Sequence, residues 1–406
     1  MALLKPFRGL RPPKTKVLHV AAPPYDVVNS AEARSYAQGN PDSFFQVSRP
    51  EVGLPEGTDE HSDAVYSRGA QSLKDFLTRG VLVQDPQAHF YVYRQKMGTH
   101  LQTGLVAAAS VDEYDRGLIK KHELTREDKE DDRTHHIDAL DANDEPVFLA
   151  YRAAAPIDAL IAEITHDAPE YDFVTDDGIG HTFWVAPVEF NPLLAAAFAR
   201  IEALYIADGH HRSAAASRVH TLRQGKPGNH DAFLAVVFPH NQLQILDYNR
   251  VVKDLNGADV PHFLARVEER FNVEKSKRRK PDQVHHFGMY LDGQWYALTA
   301  RPGTWEQTPT GVLDVTILQK NLLAHVLAIG DPRTDKRIDF VGGIRGTDAL
   351  EQRVDSGSAA VAFSMFPTTL EQLMAIADAG EIMPPKSTWF EPKLRSGLVV
   401  HPFSWT

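Results

Sequence analysis

Leu204-Tyr205-Ile206-Ala207-Asp208-Gly209-His210-His211-Arg212-Ser213-Ala214-Ala215-Ala216 is the stretch from which the fold is read. Four apolar residues, long enough for a buried strand, run into Asp-Gly, and an Ala-rich segment of strong helix propensity follows at once. The pattern predicts a strand, a tight turn and the start of a helix. Gly209 can adopt a backbone conformation closed to other residues, so the chain can turn sharply and lie close against a ligand. The first N–H groups of the new helix would point outward, with the positive end of the helix dipole behind them and Arg212 in the first turn. That suits an anion, a phosphate above all. The same letters also spell an ordinary Asp-Gly turn with Asp208 as N-cap, or a metal site on His210 and His211.

At 406 residues, 43% hydrophobic and 24% charged, the chain is too long for one small domain, and two or three folding units are expected. A net charge of −11 argues against wrapping duplex nucleic acid or lying on an anionic membrane, and small polar ligands are expected instead. No apolar run approaches the roughly 18 residues needed to span a bilayer, and residues 1–8 lack the apolar core of a signal peptide, so a cytoplasmic protein is expected. The sequence contains no cysteine, which removes disulfides, thiolate nucleophiles and cysteine-ligated zinc together.

Strands and helices alternate on either side of the turn. Glu145–Tyr151 reads as a strand, Ile157–Ile164 as a helix, residues 171–185 as two short strands across Asp177-Gly178, and Asn191–Ile201 as a helix. Beyond the turn, Ala232–Phe238 reads as a buried strand paired antiparallel with residues 243–252 through Pro239-His240-Asn241-Gln242. This alternation places the Asp-Gly-His-His-Arg loop at a sheet edge, where α/β proteins hold ligands. Residues 88–95 and 103–111 form a predicted hairpin around Gly98, and residues 287–298 another across Asp292-Gly293. The most charge-dense segment, 119–133, reads mainly as a solvated helix. His122-Glu123 precede its expected cap, Thr125, where a side chain can reach into a site; the second histidine of a zinc-protease helix is missing, which excludes that motif.

Toward the N-terminus, proline-stiffened segments carrying Phe7, Leu10 and Tyr25 read as a docked strap with Asp26 at its end, in a structural role. A helix from Asn29 or Ser30 to Ala37, a strand over Phe44–Ser48, a loop over 51–58 and a helix over 59–79 follow. Toward the C-terminus, helices are expected over 261–271, 314–327 and 370–378, a basic surface connector over 275–280, and strands over 338–341 and 359–366. Pro384-Pro385-Lys386-Ser387-Thr388 offers a fixed cation and two hydroxyls, groups that serve phosphate oxygens, although it lacks the glycines of a Walker loop. It reads equally as a proline-rich surface loop.

Tyr25-Asp26-Val27, His122-Glu123-Leu124-Thr125, Ile206-Ala207-Asp208-Gly209-His210-His211-Arg212 and Pro384-Pro385-Lys386-Ser387-Thr388-Trp389-Phe390 stand in the order seen in the bacterial family called domain of unknown function 1015. The resemblance covers essentially the whole chain. The Asp-Gly-His-His-Arg loop further resembles that of free serine kinases in the ParB/sulfiredoxin superfamily, whose members bind nucleotide phosphates on such a loop and helix N-terminus.

These resemblances imply an α/β (α+β) fold with a mixed sheet core: a strap and helical region over 1–86, a nucleotide-binding core over 87–274, and a C-terminal α/β region over 275–406 that completes the site. They imply a kinase using ATP or ADP with Mg²⁺ and phosphorylating a small hydroxyl compound, free L-serine first. Gly209, His210, His211 and Arg212, with Ser387 and Thr388, would cradle the phosphates. Asp208 would hold Mg²⁺ or the acceptor, Glu123 beside His122 would act as general base, and Lys386 would stabilise transferred charge. These residues would line one cleft. The implied partners are a nucleotide and a small-molecule substrate, with no nucleic acid and no membrane, and a homodimer is left open. The N- and C-terminal additions, absent from the small archaeal serine kinases, leave the acceptor open too. Two other readings are a metal-dependent phosphohydrolase with His122, His210 and His211 as ligands, and a non-enzymatic nucleotide-gated binding protein.

Overall fold

Continuous apolar runs such as Val147–Tyr151 and Ala232–Pro239 belong in the middle of a sheet covered on both faces, and that is where they lie. The computed structural model describes residues 2–404. Nine strands form one mixed sheet, with neighbours in the order Ile119–Lys120, Leu204–Asp208, Val147–Tyr151, Ala232–Pro239, His100–Ser110, Tyr91–Met97, Gly180–Val185 and Tyr171–Val174; Leu4–Lys5 pairs with the long His100–Ser110 strand. The expected α/β class with a mixed sheet core is therefore the observed one. Leu105, Ala107, Leu149, Ile206, Phe233 and Val237 are buried between the sheet and its covering helices, each large apolar side chain contributing about 1.5–3 kcal/mol.

The chain divides into two compact units, Met1–Leu243 with Pro392–Thr406, and Gln244–Glu391. In the first unit the C-terminal tail closes the structure: His401–Pro402 pairs with Ala142–Asn143, and the main chains of Val400 and Leu10 exchange hydrogen bonds of 2.8 and 3.0 Å. The second unit is built on a six-stranded antiparallel sheet in the order Phe271–Lys275, Gln294–Ala300, His286–Leu291, Val361–Met365, Tyr248–Val252 and Ile338–Gly342. Its own core includes Val251, Tyr290, Trp295 and Leu350.

Three local expectations are corrected. Phe45–Ser48 is a helix, not a strand; Phe44, Phe45, Val47 and Ser48 are all buried, so no alternating face exists, and the Phe44 carbonyl accepts from the amides of Val47 and Ser48. Ala232–Pro239 does not pair with residues 243–252. It lies between His100–Ser110 and Val147–Tyr151, while Gln244–Leu246 pairs with Trp389–Glu391 and Tyr248–Val252 with Ile338–Gly342 and Val361–Met365. Residues 240–242 form a short 3-10 turn that carries the chain out of the first sheet instead of folding it back as a hairpin. Thr125 does not cap the helix Glu127–Leu140; Arg126 holds that position, and the Thr125 hydroxyl donates to Glu130. Among the described residues, no helix is long and apolar enough to cross a membrane.

Candidate functional site

The parallel pairing of Leu204–Asp208 with Ile119–Lys120 builds the site. Leu204 lies opposite Ile119 and Tyr205 opposite Lys120, so both strands end on the same side, and His122-Glu123 leave the sheet beside Asp208-Gly209-His210. On the other flank, Phe148 lies opposite Asp208 in an antiparallel pair. That register brings Asp144 and Glu145, just before the strand, to the same end.

Gly209 is the N-cap of the helix His210–Leu222, with φ 97° and ψ 31°. A Cβ there would lie 3.0 Å from Arg212 Nε, so the position demands glycine twice over, by backbone conformation and by space. The first hydrogen bond of the helix runs from the Ser213 amide to the Gly209 carbonyl at 3.0 Å, so the amides of His210, His211 and Arg212 precede the intrahelical ladder. The Gly209 amide donates to Asp208 Oδ1 at 3.0 Å. The turn is not sealed, since Asp208 keeps 30% of its side chain exposed.

Asp208 Oδ2 lies 3.3 Å from Lys393 Nζ and 3.5 Å from Arg212 Nη2. Burial opposes its ionisation, but Lys393 and Arg212 overcome that and hold the carboxylate well below its ordinary range. Asp208 is thus a fixed anion with both oxygens engaged. Arg212 is buried; its guanidinium donates to the Pro146 carbonyl, lies 3.9 Å from Asp26 Oδ2 and packs under Gly209. Its side chain holds the turn from inside.

His122 and His210 are buried with rings at 89° and centroids 4.5 Å apart. Neither ring nitrogen of His122 nor Nε2 of His210 makes a hydrogen bond of good geometry among the described residues, although the Ile206 backbone lies close enough to His122 to favour its charged form. Burial pushes His122 down to about 4, and burial with His122 alongside pushes His210 well below its usual value. Unpaired buried polar groups cost about 1–3 kcal/mol each. One donor atom from each of His122, His210 and the exposed Glu123 lies within 4.8 Å of the others. His211 turns elsewhere: its Nε2 accepts from the Arg126 amide at 3.1 Å. The structure therefore groups His122, Glu123 and His210, rather than His122, His210 and His211.

Behind the turn, the N-terminal strap docks. The Tyr25 amide and the Ser396 hydroxyl donate to Glu145 Oε1 at 3.0 and 2.9 Å, while Glu145 Oε2 has no partner among the described residues. Burial, with Asp144 next in effect, pushes Glu145 up to about 8. The Arg133 guanidinium lies 4.1 Å from the centre of the Tyr25 ring. A small cavity is lined by Tyr25, Arg133, Asp144, Glu145 and Arg212. In sequence, Arg133 stands in a segment expected to be a solvated helix and Glu145 at the start of an expected strand, so neither marks itself as a site residue. The available signal was spacing, because Arg133, Ile137 and Leu140 share the buried face of their helix.

Lys386, Ser387 and Thr388 belong to the second unit. Lys386 is exposed at φ 57°, with its ammonium 5.6 Å from the Tyr248 ring and its carbonyl accepting from Arg250. Ser387 is buried; its hydroxyl donates to the Pro384 carbonyl at 2.6 Å and its carbonyl accepts from Thr368.

Among solved structures, the chain is similar to a free serine kinase in complex with AMP, at 13% identity and TM-score 0.35, covering 73% of this chain and 92% of that one. A C-terminally truncated SbnI from Staphylococcus aureus gives 13% identity and TM-score 0.38, over 73% and 87%. A conserved hypothetical protein from Pyrococcus furiosus gives 14% and 0.35, over 73% and 95%. No curated protein matches. The family described as protein of unknown function DUF1015 matches residues 4–316, well over half of the chain, and this protein belongs to that family.

Proposed function

We propose that the first unit binds the phosphates of ATP or ADP at the 208–212 turn and transfers a phosphoryl group to a small hydroxyl compound, with free L-serine as the first acceptor to test. The observation that carries this reading is Gly209, a left-handed N-cap between a buried strand and a 13-residue helix whose first amides lie ahead of the intrahelical ladder. Such an end favours phosphate through its N–H groups and its dipole together. Lys393 adds a cation at the same turn, on Asp208. Mg²⁺ would arrive on the phosphate oxygens with its own waters, and Asp208 is the fixed carboxylate of the turn. Because Lys393, Arg212 and the Gly209 amide already engage Asp208, no step is assigned to it as a direct metal ligand.

Glu123, exposed beside the turn, is the proposed base: it takes the acceptor's proton as the new oxygen–phosphorus bond forms and the bond to the nucleotide's bridging oxygen breaks. The test is to incubate the protein with ATP or ADP, Mg²⁺ and a panel of hydroxylated metabolites, following nucleotide consumption and phosphorylated products by mass spectrometry. Phosphoserine, or another phosphate ester, is expected. Absence of any ester, together with no nucleotide binding by calorimetry, contradicts the proposal.

A further inference from the structure

We propose that His122, Glu123 and His210 form a binding site for a divalent transition-metal ion of the zinc, iron, nickel or cobalt class. Six histidines of the first unit are buried: His122, His136, His181, His210, His230 and His401. Four of them engage a polar partner in the usual way: His136 with Asp144 at 3.0 Å, His181 with Tyr93 at 2.6 Å, His230 with the Lys226 carbonyl at 3.0 Å and His401 with Asn143 at 3.1 Å. The two whose ring nitrogens include atoms with no hydrogen bond of good geometry among the described residues are His122 and His210, and these two touch each other. Burying two adjacent imidazoles with unused lone pairs is unfavourable unless a ligand takes them up.

The third member supplies the missing charge. A carboxylate oxygen of Glu123 lies within 4.8 Å of the donor nitrogens of both rings. Bonds of about 2.0–2.2 Å to such a metal place its ligands about 3.3 Å apart, a closure within the rotamer reach of a glutamate side chain. Two imidazoles and one carboxylate suit the transition metals, whereas Mg²⁺ and Ca²⁺ prefer an all-oxygen shell. Three protein ligands would leave coordination positions open. That is the pattern of a catalytic metal, where bound water or alcohol loses its proton more readily. A carboxylate that held the ion through one oxygen would keep its second oxygen for the acceptor's proton, so the site is compatible with Glu123 as the base. The inference does not rest on phosphoryl transfer, because binding is read without nucleotide.

The test uses the full-length protein without a histidine tag. Metal content is measured by plasma mass spectrometry, and the chelator-treated protein is titrated with Co²⁺ while the visible d–d bands are followed. One ion per chain and a saturable spectrum are expected. His122→Ala and His210→Ala should each weaken Co²⁺ by more than about 100-fold, since even changes outside the ligand shell cost 10–100-fold; His211→Ala should bind as the wild type does. Circular dichroism checks the fold of each variant. Should either alanine variant fail to fold, Glu123→Gln at its exposed position decides, with an expected affinity loss of about 10-fold or more and a shifted spectrum. No d–d spectrum with the wild type, unchanged binding in a folded His122→Ala or His210→Ala variant, or an unaltered Glu123→Gln titration overturns the site.

Discussion

Gly209 joins two constraints that would ordinarily fall on separate residues: a left-handed backbone at φ 97° and a guanidinium 3.0 Å from where a Cβ would stand. Gly209→Ala is therefore expected to destabilise the protein by about 1–3 kcal/mol, the usual cost of a residue held in such a region, and to weaken nucleotide binding. Urea unfolding with an unchanged midpoint would show that the turn tolerates a side chain. Glu145 supplies a prediction about pH. Its folded-state value near 8 lies above that of an exposed glutamate, so the folded protein holds a proton that the unfolded chain releases near pH 4–5. Stability from this group is present below that range and is lost as pH rises toward 8. Glu145→Gln keeps an acceptor for Tyr25 and Ser396 and removes the titration. Thermal midpoints of the two proteins should agree near pH 5 and diverge by pH 8.5, with the glutamine variant the more stable; parallel curves would contradict the buried, protonated carboxyl.

At the level of elements, the strand–turn–helix over 204–222 was legible because local signals agree: a short apolar run, a glycine able to adopt positive φ, and an alanine-rich segment. The hairpins at Gly98 and Asp292-Gly293, and the helix that Asn29 caps reciprocally with Glu32, were legible for the same reason. Pairing partners were not. Nothing local in Ile119–Lys120 says that it lies parallel to Leu204–Asp208, yet that register places His122 and Glu123 beside His210. Likewise, the burial of Arg133 and Glu145 follows from the strap and the tail folding over them. The tail 392–406 is the most consequential element hidden from sequence. It delivers Lys393 to Asp208 and Ser396 to Glu145, and buries Val399, Val400 and Phe403. At about 1.5–3 kcal/mol for each large apolar side chain, its loss rivals the 5–15 kcal/mol stability of an ordinary domain. Truncation after Glu391 should abolish the near-ultraviolet dichroism of the first unit's packed aromatics. A cooperative unfolding transition like that of the full chain would contradict this.

For the molecule as a whole, the first unit is assembled from two separated segments of chain with the second unit inserted between them. Turn and strand signals follow local chemistry and could be read; the return of the chain at Pro392 is a non-local contact with no local signature. The family assignment carries no activity with it, so the functional account stands on the turn and on Glu123. The most direct test compares wild type with Glu123→Gln in one experiment, measuring ATP or ADP affinity by calorimetry and phosphoserine formation by mass spectrometry. A base acts on the acceptor's proton and not on the nucleotide's phosphates, so the account predicts nucleotide affinity within about 2-fold of wild type and product formation reduced by about 10²- to 10⁴-fold. Phosphoserine formation at the wild-type rate in the Glu123→Gln variant would contradict it.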